Sequence, residues 1–324
     1  DIKELTIDDN NSSMLLNSLN MQLKLVEDRI EQMQMVEKAI KDTTKALTEN
    51  QNIDWSQMLD LIHLTNDETS IKAQYKNATN ISARISLHNL YSHNKQPWFN
   101  WLYENYNIKS GMKILEIGCG SGALWMQNIK QIPADIEICL SDISQGMLRD
   151  ARRGIGTEDS RFSFENFDCS QIPFGDNEFD LIIANHVLFY CDDLDKVLSE
   201  IYRVLKPNGK FICSTYGSKH MYEIDKLVKS FDSKIILSNN KLYEKFGLDN
   251  GEHLIRNYFE NISLKMYDDY LDVTESEPLI EYILSCHGNQ NEYILSKYQE
   301  FKSYVEKKIP LHITKEAGIF ICKK

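Results

Sequence analysis

The sequence lacks the features that place a chain in a membrane or around a metal. No apolar run reaches the roughly 20 residues that a transmembrane helix needs, and no signal peptide opens the chain, so we expect a cytoplasmic protein with no membrane partner. The seven cysteines are scattered, without a C-x-x-C pair or a histidine at metal-ligand spacing. This pattern predicts buried thiols and no metal site, and it excludes an iron–sulfur radical enzyme, which needs clustered cysteines.

Clustered positive charge is also missing. The 36 Lys and Arg residues are outnumbered by 48 Asp and Glu residues, which gives a formal net charge of −12. Because phosphate attraction needs clustered Lys and Arg, this balance argues against sequence-independent binding of nucleic acid by this chain. The 324 residues suffice for one large α/β domain and a smaller second unit.

The most informative segment joins a short apolar run to three alternating glycines. The run 114–117 ends at Gly118, Gly120 and Gly122, and a helix-compatible segment, 123–130, follows at once. A strand that passes through glycines into a helix points backbone N–H groups at a ligand, and the missing Cβ atoms let the ligand come close. Asp142 lies twenty positions beyond Gly122, after a second apolar run at 136–140. A doubly wound sheet places a carboxylate there to bind a ribose diol.

Three segments resemble the class I S-adenosylmethionine-dependent methyltransferases, in particular their type 11-like, small-molecule group. They are E-I-G-C-G-S-G at 116–122, S-D-I-S at 141–144 and L-K-P-N-G-K at 205–210, and the resemblance runs from about residue 75 to the C-terminus. It implies S-adenosylmethionine as cofactor, S-adenosylhomocysteine as product, and a doubly wound, Rossmann-like α/β fold with a seven-stranded, mostly parallel sheet. The Gly-x-Gly-x-Gly spacing suits this donor better than the Gly-x-Gly-x-x-Gly of dinucleotide dehydrogenases.

The resemblance implies a donor site built from strand ends and the loops that follow them. Glu116 would bond nearby amides or accept from the donor's ammonium, Asp142 would accept both ribose hydroxyls, and Met147 would cover the adenine face. Asp168 with Cys169 would contact the adenine amino group, although Asp168 is also typical of a turn. The predicted donor-binding residues are Tyr75, Arg84, Glu116, Gly118, Cys119, Gly120, Gly122, Asp142, Ile143, Met147, Asp168, Cys169, Asn185 and His186.

Tyr75 and Arg84 belong to a helical cap that we expect over residues 51–110, with helices at 54–63, 67–76 and 97–106. In the family such a cap covers donor and acceptor, and an Arg guanidinium suits the donor's carboxylate. The alternatives are a surface arginine and aromatic side chains that only fill a core. We place the acceptor pocket at Tyr91, Trp98, Tyr190 and Tyr216.

Two histidines are the candidates for a catalytic base. Asn185 and His186 follow the fourth predicted strand, where the family positions the transferred methyl group. His186 is the first candidate and His220 the second, because an unperturbed imidazole pKa suits deprotonation of a phenol or an acid. For His220 the alternative is a surface residue at a helix start. A base is optional, since transfer is an in-line displacement at a carbon that the sulfonium already activates.

The same strand end excludes one class of substrate. Methyltransferases of exocyclic or amide nitrogens use an acidic residue or Asn followed by two prolines and an aromatic residue. Here His186 and Val187 stand in place of the prolines. We therefore expect a small-molecule acceptor, flat or hydrophobic, and not a DNA base, a glutamine amide or a ribosomal adenine.

Residues 1–50 have the pattern of one long amphipathic helix that neither Pro nor Gly interrupts. Its narrow stripe favours a coiled-coil homodimer, and packing on the chain's own domain is the alternative. The D-I-K-E-L start and the leucine-bearing helix resemble the tail of a MerR-type transcriptional regulator. That resemblance implies DNA binding only through a winged helix-turn-helix that would precede Asp1 and is absent from this sequence. The stripe consists of Leu16, Leu19, Leu23, Val26, Ile30, Met33, Ile40 and Leu47.

Strand and helix patterns alternate across the predicted methyltransferase domain, 111–324, which predicts a mainly parallel sheet covered on both faces. The predicted strands are 113–117, 136–140, 161–164, 180–185, 209–215, 262–271 and 313–322, and the predicted helices between the early strands are 123–130, 144–153 and 194–205. Residues 206–209 have a turn signature. The family likeness implies that the last strand inserts antiparallel beside its predecessor. Residues 272–311 are a mostly helical insertion that Gly288 and Asn289 split.

Two functions remain open at this point. The first is an enzyme that transfers a methyl group to a small molecule. The second is a sensor domain of a transcriptional regulator that binds the donor or an effector with little turnover. A third function, a pure protein-interaction module, would leave the predicted donor-binding residues unexplained. Donor affinity separates this last possibility from the others, and product formation separates the enzyme from the sensor.

Overall fold

The computed structural model describes residues 86–156, 158–238, 241–286 and 288–324. The predicted dimerisation helix at 1–50, the cap helices at 54–63 and 67–76, Tyr75 and Arg84 lie outside the described residues. Within these ranges no helix is both long and apolar enough to cross a membrane.

Nine strands form two sheets in the described residues. They are β1 (Lys113–Ile117), β2 (Glu137–Asp142), β3 (Phe162–Asn166), β4 (Phe179–Asn185), β5 (Leu205–Tyr216), β6 (Asn261–Tyr267), β7 (Tyr270–Val273), β8 (Leu311–Thr314) and β9 (Ala317–Lys323). The larger sheet has the order β3-β2-β1-β4-β5-β9-β6, and β7 pairs with β8 in the smaller one. β1 to β5 pair in parallel, whereas β9 runs antiparallel between β5 and β6. The predicted doubly wound, mostly parallel sheet of seven strands is confirmed.

Helices flank the strands as the alternating pattern predicts. Those with both ends in the described chain are α1 (Trp98–Tyr106), α2 (Ala123–Asn128), α3 (Gln145–Ile155), α4 (Leu194–Val204), α5 (Tyr222–Phe231), α6 (Leu242–Lys245), α7 (Gly251–Ile255), α8 (Ser276–Leu284), α9 (Gln290–Ile294) and α10 (Tyr298–Glu306). A short 3-10 helix, Leu188–Tyr190, follows β4. Pro97, with its fixed φ, precedes α1, and the Asp193 side chain caps α4.

Both faces of the central strands of the large sheet are buried. Alternate residues of β1 enter different hydrophobic clusters: Leu115 and Ile117 belong to one, and Ile114 belongs to the other. The second cluster includes Trp125 of α2 and Leu102 of α1, both fully buried. Two covered faces are typical of a parallel sheet whose crossover helices lie on either side.

Two predicted strands are wrong because each is divided in two. The segment 262–271 contains β6 and β7, and the segment 313–322 contains β8 and β9, which belong to different sheets. Both runs break at the same level, because Tyr267 pairs with Ala317 on one side of the break and Tyr270 pairs with Thr314 on the other. Between them the Lys315 ammonium donates to the buried Asp269 carboxylate. This ion pair joins the two segments at the point where each passes from one sheet to the other.

The predicted turn at 206–209 lies inside β5 as an irregularity of the ladder. Leu205 pairs with Phe179 and Lys210 with Leu181, so four residues of β5 fall between partners only two apart on β4. Asn208 has a φ of 64°, as a turn residue does. The turn chemistry is present, and the strand pairing continues on both sides of it.

The carboxyl ends of β1 to β5 meet at one edge of the sheet, and β9 begins there because it runs antiparallel. The segment 268–316 leaves the sheet after β6 and returns at β9, so it emerges at this same edge. It contains β7, β8 and the helices α8 to α10, with the chain from α8 to α9 crossing Gly288 and Asn289. Open α/β sheets bind ligands at this edge.

Candidate functional site

The glycine turn joins β1 to α2. Gly118, Gly120 and Gly122 all have positive φ, at 67°, 55° and 75°. A Cβ on Gly118 would lie 2.5 Å from Cγ2 of Val187, so that space is filled by the loop after β4. A Cβ on Gly120 would meet no atom within 4 Å. Gly118 therefore permits close packing within the protein, whereas Gly120 leaves its backbone open to a ligand.

Asp142, the last residue of β2, braces the turn from the neighbouring strand. Its Oδ2 accepts from the backbone N–H of Gly120 at 2.9 Å, and its Oδ1 accepts from the backbone N–H of Ser144 at 2.8 Å. The Asn166 side chain donates to the carbonyls of Asp142 and Ile143 at 2.8 and 3.0 Å. Because each carboxylate oxygen has further acceptor capacity, Asp142 is fixed against the turn and can still accept from two hydroxyls.

Ile143 and Met147 extend the site beyond Asp142. Ile143 is 72% exposed although it is a large apolar residue. Met147 lies in the first turn of α3, where its N–H donates to the capping Ser144 Oγ at 3.4 Å. An exposed isoleucine and a half-buried methionine next to a fixed carboxylate provide an apolar surface on which a flat ring can lie.

A buried carboxylate precedes the turn. Glu116 is 2% exposed, its Oε2 accepts from Trp125 Nε1 at 2.6 Å, and its Oε1 accepts from Asn185 Nδ2 at 2.9 Å. Asn185 Oδ1 in turn accepts from the Tyr106 hydroxyl at 2.9 Å. Burial raises the pKa of Glu116 to about 7, and the two N–H donors oppose that rise. The Asn185 amide is hydrogen-bonded at both its oxygen and its nitrogen within this network, and its position facing the transferred methyl group stays a prediction.

The loop after β3 carries Asp168 and Cys169. Asp168 is exposed, its Oδ1 accepts from the Ser170 N–H at 2.8 Å, and its carbonyl accepts from the Gln171 N–H at 2.8 Å. Asp168 therefore forms a turn at this position, and its contact with the adenine amino group stays a prediction. Cys169 Sγ lies 3.6 Å from Cys191 Sγ, just past the 3-10 helix.

His186 occupies an uncommon backbone conformation at the end of β4. Its φ is 50°, and its N–H donates to the carbonyl of Ser214 at 3.2 Å and to Ser214 Oγ at 3.0 Å. Its ring stacks on Trp98, with centroids 5.6 Å apart. Burial lowers the pKa of His186 to about 4, so the imidazole is neutral at physiological pH. Non-glycine residues in this region carry backbone strain, which concentrates at functional sites.

Tyr216 lies between the two predicted base candidates. Its ring centroid is 6.2 Å from that of His186 and 5.3 Å from that of His220. His220 precedes α5, as a helix-start residue would, but its side chain is partly buried. Its Nδ1 accepts from the backbone N–H of Glu316 at 3.1 Å, and burial lowers its pKa well below the ordinary value. His220 is therefore neutral with its proton on Nε2.

The structure brings together two of the four residues predicted to line the acceptor pocket. Trp98 and Tyr216 both lie beside His186. Tyr190 is 64% exposed and packs against Phe189, at 4.7 Å between centroids. Tyr91 lies elsewhere, against the hydrophobic cluster that includes helices of the 268–316 segment.

The sequence gives no signal for several residues that shape the site. Trp125 and Tyr106 complete the Glu116 network, yet nothing in their spacing marks them as partners of a strand-end carboxylate. Asp269 and Lys315 do have a local signal, because each lies in a short group of polar residues within a predicted strand, at 268–269 and 314–316. Lys315 also lies 5.2 Å from the centroid of the Tyr267 ring.

Asp269 also binds the segment that leads into α1. Its carboxylate accepts from Ser92 Oγ at 2.7 Å and from the Asn94 N–H at 2.9 Å. The Tyr267 hydroxyl donates to the carbonyl of Gln96 at 2.6 Å. These bonds hold the chain that precedes Trp98 against the corner between β6 and β7.

Comparison with known proteins finds the type of domain that the sequence segments at 116–122, 141–144 and 205–210 resemble. Residues 115–213 match the family model described as a methyltransferase domain. The chain is 37% identical over 123 residues to the biotin biosynthesis bifunctional protein BioHC of Saccharophagus degradans, a match that covers 38% of this chain and 22% of that protein. It is 32% identical over 120 residues to the demethylmenaquinone methyltransferase of Symbiobacterium thermophilum, covering 36% and 48%.

A third relative is the ubiquinone/menaquinone biosynthesis C-methyltransferase UbiE of Idiomarina loihiensis, 34% identical over 118 residues, with 36% of this chain and 47% of that protein covered. The chain thus spans half or less of the length of these curated relatives. The family match contains Glu116, the glycine turn, Asp142, Asp168 and His186. In this chain residues 115–213 therefore match the methyltransferase-domain family, the one that the glycine turn and Asp142 predict.

Proposed function

We propose that this protein is an S-adenosylmethionine-dependent methyltransferase that acts on a small-molecule acceptor. One observation carries the proposal: the backbone of Gly120 is open on one side and is hydrogen-bonded to the strand-end carboxylate of Asp142 on the other. An open glycine turn next to a fixed carboxylate suits a ligand that has both a polar chain and a ribose diol.

The residues present fit the donor. The space at Gly120 accommodates a group that lies close to the backbone, and Asp142 retains acceptor capacity for two ribose hydroxyls. Ile143 and Met147 offer the apolar surface for the adenine ring. The Glu116 carboxylate adds negative charge beside the turn when it is ionised, which favours a cationic ligand. When bound, S-adenosylmethionine supplies a methyl carbon activated by the sulfonium charge.

The neutral histidines support transfer by alignment. An imidazole with a pKa of about 4, as His186 has, is a weak proton acceptor, and it adds no positive charge near a sulfonium. We infer that His186 orients the acceptor and that no strong base is used. His220, whose proton is on Nε2, is a hydrogen-bond donor in the same cluster. The enzyme's contribution is then positioning and exclusion of water.

The aromatic rings around His186 support a flat, largely apolar acceptor. Trp98, Phe189 and Tyr216 lie around its ring at 5.6, 6.2 and 6.2 Å between centroids. Stacked and tilted rings at these distances form a surface suited to another planar group. Two of the relatives named above act in quinone biosynthesis according to their names, which agrees with an acceptor of this shape.

Calorimetric titration tests the donor site directly. S-adenosylmethionine and S-adenosylhomocysteine are titrated into the wild type, Asp142→Asn and the control Asp225→Asn, whose carboxylate is exposed and paired with Lys229 on α5. We expect Asp142→Asn to weaken donor binding about tenfold to a hundredfold, because hydrogen bonds to a charged group contribute about 1.5–3 kcal/mol. Asp225→Asn should bind as the wild type does. A folded wild type that binds neither ligand would refute the proposal.

Transfer is tested with a donor carrying a labelled methyl group and a panel of phenols, quinols and apolar acids. Label in any acceptor, lost in Asp142→Asn, supports an enzyme. Saturable donor binding with no label in any acceptor would favour a sensor that binds the donor without turnover.

We further infer that residues 1–50 form a dimerisation helix and that the chain is the enzymatic part of a MerR-type regulator fusion. The uninterrupted apolar stripe supports this. Light scattering coupled to size exclusion tests it with Leu23→Glu, which places a charge in the stripe, and the control Asn17→Glu, which places one outside it. We expect a dimer for the wild type and the control and a monomer for Leu23→Glu. A monomeric wild type would contradict the inference.

A further inference from the structure

Two cysteine thiols face each other beside the glycine turn. Cys169 Sγ and Cys191 Sγ are 3.6 Å apart, although the residues are 22 positions apart in the chain. Cys169 lies in the loop after β3, and Cys191 directly follows the 3-10 helix after β4. Both are free and partly exposed. They come together because β3 and β4 both end at the edge of the sheet that carries the site.

Both cysteines adjoin residues that border the proposed donor site. Cys169 directly follows Asp168, whose side chain forms the turn. Cys191 Sγ lies 3.8 Å from the carbonyl of Val187, and Val187 fills the space over Gly118. A change in the distance between the sulfurs would therefore act on two loops that adjoin the turn.

The pair is chemically suited to oxidation. The hydrogen bond between the two sulfurs, in which either can be the donor, lowers the pKa of Cys169 because the Cys191 thiol can donate to a Cys169 thiolate. In contrast, burial raises the pKa of Cys139 to about 11 and that of Cys322 to about 12. A thiolate is the reactive form, so Cys169 is favoured over these buried thiols. Closing a bond of about 2.05 Å requires the two sulfurs to approach by roughly 1.5 Å, a movement within reach of two loops.

We propose that Cys169 and Cys191 are a redox modification site at which hydrogen peroxide converts the two thiols into a disulfide. The Cys169 thiolate attacks one peroxide oxygen, the O–O bond breaks, and Cys169 becomes a sulfenic acid while the other oxygen leaves as water after taking up a proton. The Cys191 sulfur then attacks the Cys169 sulfur, and the sulfenic oxygen leaves as a second water. The two thiols lose two electrons, the peroxide gains them, and a thiol reductant reverses the change.

The disulfide should weaken donor binding, a consequence that rests on the proposed function. Drawing Cys191 toward Cys169 pulls on the 3-10 helix that starts beside Val187 and on the turn at Asp168. Because Val187 already packs closely over Gly118, this displacement alters the wall of the glycine turn. We expect the affinity of the oxidised protein for S-adenosylmethionine to fall several-fold and to recover on reduction.

Peptide mapping after treatment with hydrogen peroxide identifies the bond without reference to the donor. Trypsin releases both cysteines in one peptide, 162–196, because no Lys or Arg lies between Arg161 and Lys196. A second cut after Glu178 with a Glu-specific protease separates them unless a disulfide joins them. The full chain is used, with Cys169→Ser, Cys191→Ser and the control Cys286→Ser.

We expect the wild type and Cys286→Ser to yield the joined peptides, lighter by two hydrogens and resistant to alkylation until reduced. Cys191→Ser should instead accumulate a sulfenic acid on Cys169 that dimedone traps. Full alkylation of both residues after peroxide treatment would overturn the proposal, as would dimedone labelling of Cys191 in Cys169→Ser at an equal rate. Donor titration of the oxidised and reduced forms follows. Unequal affinities support the link to the site, and equal affinities overturn that link while the peptide map still decides the disulfide.

Discussion

An alanine at Gly120 should weaken donor binding and barely change the fold. The φ of 55° places this residue in the left-handed region, where a Cβ costs roughly 1–2 kcal/mol. No atom lies within 4 Å of the position of that Cβ, so no clash adds to this cost. We therefore expect the free energy of unfolding of Gly120→Ala to fall by about 1–2 kcal/mol.

The same substitution should also weaken donor binding, for a reason separate from backbone strain. The added methyl group occupies the open space through which a ligand approaches the backbone. An extra methyl in a packed contact costs about 1–3 kcal/mol, which weakens binding roughly tenfold to a hundredfold. Calorimetric titration with S-adenosylmethionine measures this change, and urea unfolding measures the stability of the same samples.

Gly111→Ala is the matched control. Gly111 has a φ of 78° and also has no atom within 4 Å of a Cβ, but it lies before β1, at the opposite end of that strand from the turn. Its substitution should cost the same stability and leave donor affinity unchanged. Unchanged donor affinity in Gly120→Ala, or equal losses in both variants, would refute the reasoning.

Three further predictions follow from burial and charge. Glu116 has a folded pKa of about 7 against 4.5 in the unfolded chain, so the unfolded state loses this proton first as the pH rises. The unfolding free energy of the wild type relative to Glu116→Gln should therefore fall by about 3 kcal/mol between pH 4.5 and pH 7. A fall of no more than about a third of this amount, measured by urea unfolding at both pH values, would contradict the prediction. Lys315→Ala leaves the Asp269 carboxylate buried without its cation and should cost about 3–5 kcal/mol by chemical denaturation, whereas the exposed Lys302→Ala should change stability far less. The His186 imidazole should remain neutral down to about pH 5, since its pKa is about 4. An NMR titration of the His186 ring with a midpoint near pH 6.5, the ordinary value for histidine, would refute this prediction.

Local patterns predict the elements that carry the donor site. The β1 strand begins and ends where the apolar run and the first glycine predict, because both signals lie within a few residues of each other. Asp142 is equally local, since it follows a short apolar run. Helix α4 has a local signal too, with Val197, Leu198 and Ile201 on a helical spacing and buried within the predicted helix 194–205.

Interactions between distant residues explain what the sequence does not predict. Asn185 hydrogen-bonds Glu116 from 69 positions away and Tyr106 from 79 positions away, and no spacing along the chain indicates these pairs. The same holds for Lys315 and Asp269, 46 positions apart. Each charge alone is compatible with an edge strand, and the spacing along the chain does not indicate that the two charges meet where both predicted strands break.

The antiparallel pairing of Tyr267 with Ala317 determines how readily the segment between them can change in length. The whole segment 268–316 begins and ends at neighbouring backbone positions that the sheet already holds together. The entropy of closing such a loop grows only with the logarithm of its length, by about 0.6 kcal/mol per doubling. Lengthening the loops within this segment therefore adds little to the entropy cost of folding, as long as the Asp269–Lys315 ion pair and the buried residues of the segment are kept. The chain thus has a point at which loops can be lengthened, in evolution or by design, beside an unchanged parallel sheet.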